Sequence, residues 1–428
     1  MGNYIARNSL ILFIIQCASI GLVFLSNFVL VKLAGAAVYG SYVYLFNLIY
    51  FLNTACILGL DTLLLRKSAI YQGNQNFSAL KGLFIFSGFA LLISISIAAL
   101  LFRFLPGLSG ITPWKGHGKA GVFAFLTLGM LSVTTLAQSV LQGLKKIAGS
   151  QLGEKILRPL FLILWVVFLY LMRNHLTLSQ LIWSNVMAIG IALVFALYTA
   201  RIAIGKHLAA PIRATFENRR WVLAAAAFFL ADILYNGNAR IAILLLGYFK
   251  SKPEVGIFNI SLRISELISF SLVVVNFVLS PLIAGLFAQN DRAALQKTIT
   301  RSSRVILLIG TILFLGLVLF RHHILSLFGR DFESGQVALV ILCLGQWGNI
   351  FFGSVGLLLI MTGHQLYSIY SLLVGILLNL GLNLWLTPMY GMTGTAIASA
   401  SGLVGWNLVM YYFVRKKLRI RPTAFGNL

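Results

Sequence analysis

Charged side chains interrupt two neighbouring apolar stretches in the second half of the chain. Asp232, Asn236 and Arg240 follow one another at intervals of four in the first stretch, and Arg263 and Glu266 are three apart in the next. Residues at these spacings share one face of a helix. An arginine guanidinium in such a place can bind phosphate oxygens through two parallel hydrogen bonds. The pattern therefore indicates a cationic site for an anionic substrate group.

A purely structural role for the same charges is the alternative. Arg240 and Arg263 each lie about nine residues from the shared outer end of their stretches, and at 1.5 Å per residue that is about 14 Å deep, near the middle of a bilayer. Arg240, Glu266 and Arg263 could form an ion cluster that only holds two helices together. Because an arginine kept in lipid without a partner is costly, the ligand site is favoured.

The first half of the chain offers uncharged side chains at the corresponding positions. Tyr39-Gly40-Ser41-Tyr42 and Val255-Gly256-Ile257-Phe258 each open a long apolar run, and their glycines are 216 residues apart (256 minus 40). The same offset adds three polar residues to the candidate site: Gln16, Asn47 and Tyr50. One cationic wall and one wall of such side chains suit a ligand with both phosphate and sugar. Tyrosine stripes are also common in helix packing.

Asp61 is the acidic residue of the second apolar run. It lies near the inner end of that run, shortly before Arg66 and Lys67. It is either an ion-pair partner of Arg66 or a protonatable residue that couples transport to a gradient of protons or sodium ions. The sequence leaves both possibilities open.

The elements that position these residues must be membrane helices. The chain has 428 residues, of which 59% are hydrophobic and 10% charged, and its mean hydropathy is +0.93. Soluble domains carry about one-quarter charged residues, so the long apolar runs must face lipid. The net charge of +24 would suggest nucleic acid in a soluble protein. Here most of the excess lies in short inner connections, as in the positive-inside rule, and no nucleic-acid partner is expected.

Twelve runs are long enough to span a bilayer, which predicts an all-α integral membrane protein. The predicted spans are 8–33, 37–65, 79–102, 119–143, 151–172, 178–203, 221–249, 254–288, 301–320, 336–361, 366–386 and 391–414. We expect two six-helix lobes around a central cavity, residues 1–205 and 221–428, joined by a cytoplasmic linker at 206–220. Both termini are predicted to be cytoplasmic.

Enzymatic and cofactor-dependent functions are disfavoured. The connections are too short for an extramembrane catalytic domain, and a phosphate-binding Gly-Lys-Ser/Thr loop is absent from the sequence. The six histidines and three cysteines lack metal-ligand spacing. We therefore predict no catalytic residues, no metal site and no cofactor. The longest outer connection, 103–118, contains one histidine and no acid, which disfavours a polysaccharide polymerase or ligase.

The chain resembles the Wzx-type O-antigen and capsule flippases of the multidrug/oligosaccharidyl-lipid/polysaccharide exporter (MOP) superfamily. The segments that carry the resemblance are Val38-Tyr39-Gly40, Leu58-Gly59-Leu60-Asp61, Gln142-Gly143-Leu144-Lys145, Glu254-Val255-Gly256-Ile257-Phe258-Asn259, Arg263-Ile264-Ser265, Thr362-Gly363-His364 and Pro388-Met389-Tyr390-Gly391. They follow the expected order along essentially the whole chain.

The resemblance implies a MATE-like fold with alternating access. It also implies a polyprenyl-pyrophosphate-linked oligosaccharide as cargo, moved to the outer leaflet of the bacterial inner membrane for O-antigen, capsule or exopolysaccharide synthesis. Glycosyltransferases and a polysaccharide polymerase are the implied partners, besides membrane lipid. By position, Arg240 and Arg263 match the cationic lumen residues of the family. The alternative within the superfamily is a MATE-like antiporter of organic cations, which favours an acidic lumen.

Overall fold

The computed structural model describes residues 2–104, 118–208 and 213–426, which are helical almost throughout and contain no strand. The α-helices, numbered in chain order, are α1 (Gly2–Ile57), α2 (Leu60–Gly73), α3 (Phe77–Phe104), α4 (Gly118–Gly143), α5 (Ile147–Leu152), α6 (Arg158–Arg173), α7 (Leu178–Leu208), α8 (Asn218–Phe249), α9 (Lys252–Ala288), α10 (Arg292–Leu319), α11 (Arg321–Ser326), α12 (Gln336–Phe351), α13 (Val355–Met361) and α14 (Gln365–Phe413). A π-helical segment, Gly153–Leu157, joins α5 to α6 without a break.

The described residues contain ten helical segments that are long and apolar enough to cross a membrane. Two of these segments contain two helices each, because the backbone leaves helical geometry at Gly35 within α1 and at Gly391 within α14. Both glycines have positive φ angles, 76° and 57°. Counted on either side of these kinks, the spans number twelve. The all-α, multi-pass membrane architecture predicted from the sequence is confirmed.

Two predicted spans are broken rather than continuous. The span predicted over 37–65 ends at Ile57, and α2 starts after Leu58 and Gly59, which both have positive φ angles. The span predicted over 336–361 is interrupted between α12 and α13, where Gly353 has a φ of 69°. Hydropathy did not predict these breaks because the residues around them are as apolar as the helices.

The first compact unit comprises Met1–Gly237 and includes the first part of α8. Its core contains the fully buried Trp221, whose indole Nε1 donates a hydrogen bond of 3.0 Å to the Tyr71 hydroxyl of α2. Trp221 belongs to α8, and Gly59, directly before α2, packs against the α8 backbone as well. A Cβ atom at Gly59 would lie 2.4 Å from the carbonyl oxygen of Ala225 and 2.5 Å from the amide nitrogen of Phe229. The start of α8 is therefore an integral part of this unit.

The second compact unit comprises Asn238–Leu428. Hydrogen-bonded polar side chains cross between its helices, as is common in membrane bundles. One hydrogen-bonded series contains Asn238, Asn379, Asn383, Thr387 and Thr395. A second series contains Ser269, Gln346, Asn349 and Asn407. The tail after α14 is held against α10, where Ser303 and Arg304 donate hydrogen bonds to tail carbonyl groups at 2.6 and 2.9 Å.

Candidate functional site

An exposed ion pair lies in the middle of the α9 span in the second unit. The Arg263 guanidinium donates a hydrogen bond of 2.9 Å to Glu266, and the two side chains are 41% and 43% exposed. Arg263 is eleven residues after the start of α9 at Lys252, which corresponds to a depth of about 16 Å. Charges at this depth are tolerated where they face water rather than lipid. This face of α9 therefore suits a hydrated surface.

The carboxylate of Glu266 has Arg263 as its ionic partner among the described residues. This contact is one half of the Arg240–Glu266–Arg263 cluster that was the structural alternative drawn from the sequence. Arg240 is half-buried on α8, nine residues before the end of that helix at Phe249. Asn236 is half-buried in the part of α8 that belongs to the first unit.

A second polar cluster lies within the first unit and is centred on Arg158, at the start of α6. Its guanidinium forms a salt bridge with Glu154 and donates hydrogen bonds to the Tyr50 hydroxyl and to Asn185 Oδ1, the latter at 3.0 Å. Asn185 in turn donates a hydrogen bond to the Tyr42 hydroxyl. Arg158 is only 8% exposed, so these contacts replace the water that a buried guanidinium requires.

Lys155 extends this cluster towards α1. Its Nζ atom donates a hydrogen bond of 2.5 Å to Gln16 Oε1, and its side chain is half-buried. Gln16 and Tyr50, two of the polar residues predicted for the site, therefore lie beside positive charges. The third, Asn47, donates a hydrogen bond of 2.9 Å to the Val43 carbonyl group one turn earlier.

This cluster brings positive charges into the first half of the chain, where the 216-residue offset indicated uncharged side chains. Lys155 and Arg158 fall near the start of the span predicted over 151–172. In the structure both belong to one continuous helical span, Ile147–Arg173, and Arg158 is buried. The available signal was the spacing of Glu154 and Arg158, since an acid and a base four residues apart pair on a helix face.

The π-helical segment Gly153–Leu157 carries both Glu154 and Lys155. Such single π-turns insert one extra residue into an α-helix and often occur at functional sites. The insertion changes the direction of every side chain that follows relative to those before it. Here it accompanies the approach of Glu154 to Arg158 while Lys155 reaches Gln16.

Asp61 and Asp232 form an unexpected pair in the first unit. Their carboxyl groups lie within hydrogen-bonding reach of each other, and one oxygen of each is buried without a hydrogen-bond partner among the described residues. Asp61 lies ten residues from Tyr71 along α2 and Asp232 eleven from Trp221 along α8. These separations place the pair about 15 Å from the Trp221–Tyr71 hydrogen bond. Two carboxylates so close together repel each other unless a proton or a cation lies between them.

The ion pair between Asp61 and Arg66, one of the two possibilities drawn from the sequence, is not formed. Arg66 instead places its guanidinium 4.8 Å from the centre of the Phe228 ring on α8, a favourable cation–π contact. Asp232 lies in the first compact unit, whereas Arg240 and Arg263 lie in the second.

The described residues hold no group of three or more His, Cys, Asp or Glu side chains that could bind a metal ion. Cys17, Cys56 and Cys343 are free thiols.

Solved structures share this architecture. A multidrug resistance MATE family transporter of the MOP superfamily, in an inward-facing conformation, matches with a TM-score of 0.73 and 13% sequence identity, over 94% of this chain and 94% of that chain. The lipid II flippase MurJ, in an inward closed conformation, matches with a TM-score of 0.72 and 13% identity, over 94% of this chain and 87% of that one. The chain has the MATE fold.

Other comparisons agree with the MATE fold. A MOP superfamily transporter from Pyrococcus furiosus, for which a binding pocket of reverse polarity suggests a different function, matches with a TM-score of 0.63 and 15% identity, over 97% of this chain and 95% of that chain. In sequence, the MatE family model matches residues 227–385. A search of curated proteins finds no match.

Proposed function

We propose that this protein is a transporter of the MOP superfamily rather than an enzyme, and that its cargo is a polyprenyl-pyrophosphate-linked oligosaccharide. It moves this lipid from the cytoplasmic to the outer leaflet of the bacterial inner membrane, by alternating access, with both termini in the cytoplasm. The product supplies O-antigen, capsule or exopolysaccharide synthesis, with glycosyltransferases acting before it and a polymerase after it.

The exposed Arg263–Glu266 pair is the observation that carries this proposal. An ion pair in the middle of a span, with each side chain more than 40% exposed, needs water beside it. In water, the guanidinium is available to a diphosphate, which binds arginine through charge-assisted hydrogen bonds shorter than neutral ones. Arg240 supplies a second positive charge within the same unit. The head of the cargo is then stabilised while its polyprenyl chain stays in lipid.

Energy coupling is assigned to the carboxyl pair. A proton held between Asp61 and Asp232 would remove the repulsion between their neighbouring carboxylates. Loss of that proton places two negative charges side by side, which repel each other and separate α2 from α8 at this depth. A proton gradient, or sodium ions that replace the proton, would thereby drive a conformational change in the first unit.

A MATE-like exporter of organic cations is the second candidate function. The MatE family model match over residues 227–385 and the likeness to a multidrug transporter favour it. The carboxyl pair could also attract a cation. The positive charges of Lys155, Arg158 and Arg263 disfavour the exporter, because they would repel a cationic substrate.

Reconstitution distinguishes the two functions. Purified protein in proteoliposomes is given a labelled polyprenyl-diphosphate oligosaccharide, and the fraction accessible to an external lectin is measured over time. Flipping by the natural protein and its loss in Arg263→Ala are expected. Export of ethidium with no movement of the lipid-linked sugar would support the exporter and contradict the flippase.

A further inference from the structure

Lys155 lies within a membrane span and forms no salt bridge with an acidic side chain of the described residues. All nine Asp and Glu side chains lie in the described residues, and within those residues none forms a salt bridge with Lys155. The hydrogen-bond acceptor of Lys155 is the neutral amide of Gln16. The cluster formed by Gln16, Tyr42, Tyr50, Glu154, Lys155, Arg158 and Asn185, hereafter the Lys155 cluster, therefore has a net charge of +1.

Arg158 is the structural centre of the Lys155 cluster rather than its binding group. Its guanidinium contacts Glu154, Tyr50 and Asn185, and its side chain is 10% exposed. Lys155, in contrast, is half-buried and makes no salt bridge with an acidic side chain of the described residues. An ammonium group has three donors, and the hydrogen bond to Gln16 uses one of them.

Lys155 lies well inside its span, where a positive charge without a neighbouring carboxylate is unusual. Lys155 is eight residues after the start of α5 at Ile147, about 12 Å along the helix. Ionisable residues at such positions are rare, and they generally face the interior of a helical bundle or a water-filled cavity. The Gln16 amide oxygen accepts one hydrogen bond from Lys155 but does not neutralise its charge, whereas Glu154 neutralises Arg158 in the same cluster.

We infer that Lys155 forms an anion-binding subsite in the first unit, which takes an oxyanion carried by the oligosaccharide head of the cargo. The neighbouring Gln16 amide and Tyr50 hydroxyl are suited to sugar hydroxyl groups. The oxyanion is either the carboxylate of an acidic sugar or a phosphate, since an ammonium group binds both as a point charge. This inference rests on the proposed function for the identity of the cargo, and adds a site distinct from Arg263.

Direct binding to the purified full-length protein tests the subsite. The matched probes are octyl glucuronide and octyl glucoside, which differ in one carboxylate, and geranyl diphosphate tests the phosphate source. We expect Lys155→Met to weaken octyl glucuronide binding about tenfold or more, the effect of one charge-assisted hydrogen bond. Lys155→Arg should preserve binding, and octyl glucoside should not distinguish the variants. Loss of geranyl diphosphate binding alone would identify the oxyanion as phosphate.

Two further variants control for folding and for general charge. Gln16→Glu supplies the missing carboxylate without removing Lys155, and should also weaken binding of the charged probe. Lys146→Met removes an exposed lysine just before the same span and should have no effect.

Equal binding of both charged probes to the natural protein and to Lys155→Met would overturn the inference. If that occurs while Arg263→Ala still blocks flipping, the proposed function stands. If Lys155 binds the charged probe but the protein flips no lipid-linked sugar, the proposed function fails and the subsite stands.

Discussion

The Asp61 carboxyl group on α2 faces the Asp232 carboxyl group on α8 within hydrogen-bonding reach. The pair lies just after the helix break at Leu58 and Gly59, in a part of the first unit where the α2 and α8 backbones are in close contact. A proton that holds two helices together at a backbone break is well placed to control their separation.

Replacing either aspartate by asparagine should uncouple transport from the proton gradient. Asp61→Asn and Asp232→Asn each preserve a hydrogen bond between the helices, because an amide can donate to the remaining carboxylate. We expect lipid flipping in proteoliposomes to continue but no longer to accelerate when a proton gradient is imposed. The exposed Asp331 provides a matched control, since Asp331→Asn should leave the acceleration intact. Unchanged acceleration in both pair variants would remove these residues from the coupling mechanism.

The two members of the Arg263–Glu266 pair should respond in opposite directions. Arg263→Ala removes the anion-binding group and is expected to weaken geranyl diphosphate binding about tenfold or more. Glu266→Gln removes the carboxylate that competes for the same guanidinium, so binding should be retained or strengthened. Titration of both purified variants measures the difference. Equal losses in the two variants would indicate that the pair acts only in helix packing.

Removal of Arg158 should destabilise the first unit strongly. Arg158→Met leaves Glu154 without its partner in a site that is mostly shielded from water, at an expected cost of about 3–5 kcal/mol. The double variant Arg158→Met/Glu154→Gln should recover part of that loss. Thermal unfolding in detergent provides the measurement. The Arg220–Glu217 pair is the control, because the Arg220 side chain is 82% exposed and Arg220→Met should hardly change the melting temperature.

Gly59 should tolerate no side chain. Its φ of 73° is unfavourable for other residues, and a Cβ atom would contact the α8 backbone. We expect Gly59→Ala to lower the free energy of unfolding by about 2–4 kcal/mol, the combined effect of backbone strain and overpacking. Gly73→Ala, at a glycine with open space around it, is the matched control. Similar melting temperatures for the two variants would show that α2 and α8 can move apart freely here.

The number of spans followed from the sequence because bilayer thickness sets the length of an apolar run. The kink at Gly35 falls in the predicted connection 34–36, and the kink at Gly391 falls at the first residue of the predicted span 391–414. The pairing of charges could not be predicted in this way, because it depends on which helices contact each other. Arg158 lies near the start of its predicted span, where basic residues are common. Its contacts with Tyr50 and Asn185 join residues 108 and 27 positions away, and no local spacing encodes such separations.

The number of residues in the π-turn at Gly153–Leu157 sets the direction in which the side chains after it point. Deleting one residue there would allow an ordinary α-helix to form, and everything from Arg158 onward would rotate by about 100° relative to Lys155. Homologues could then retain each of these polar amino acids yet aim them elsewhere. A one-residue gap would thus alter cargo preference as effectively as a change of charge.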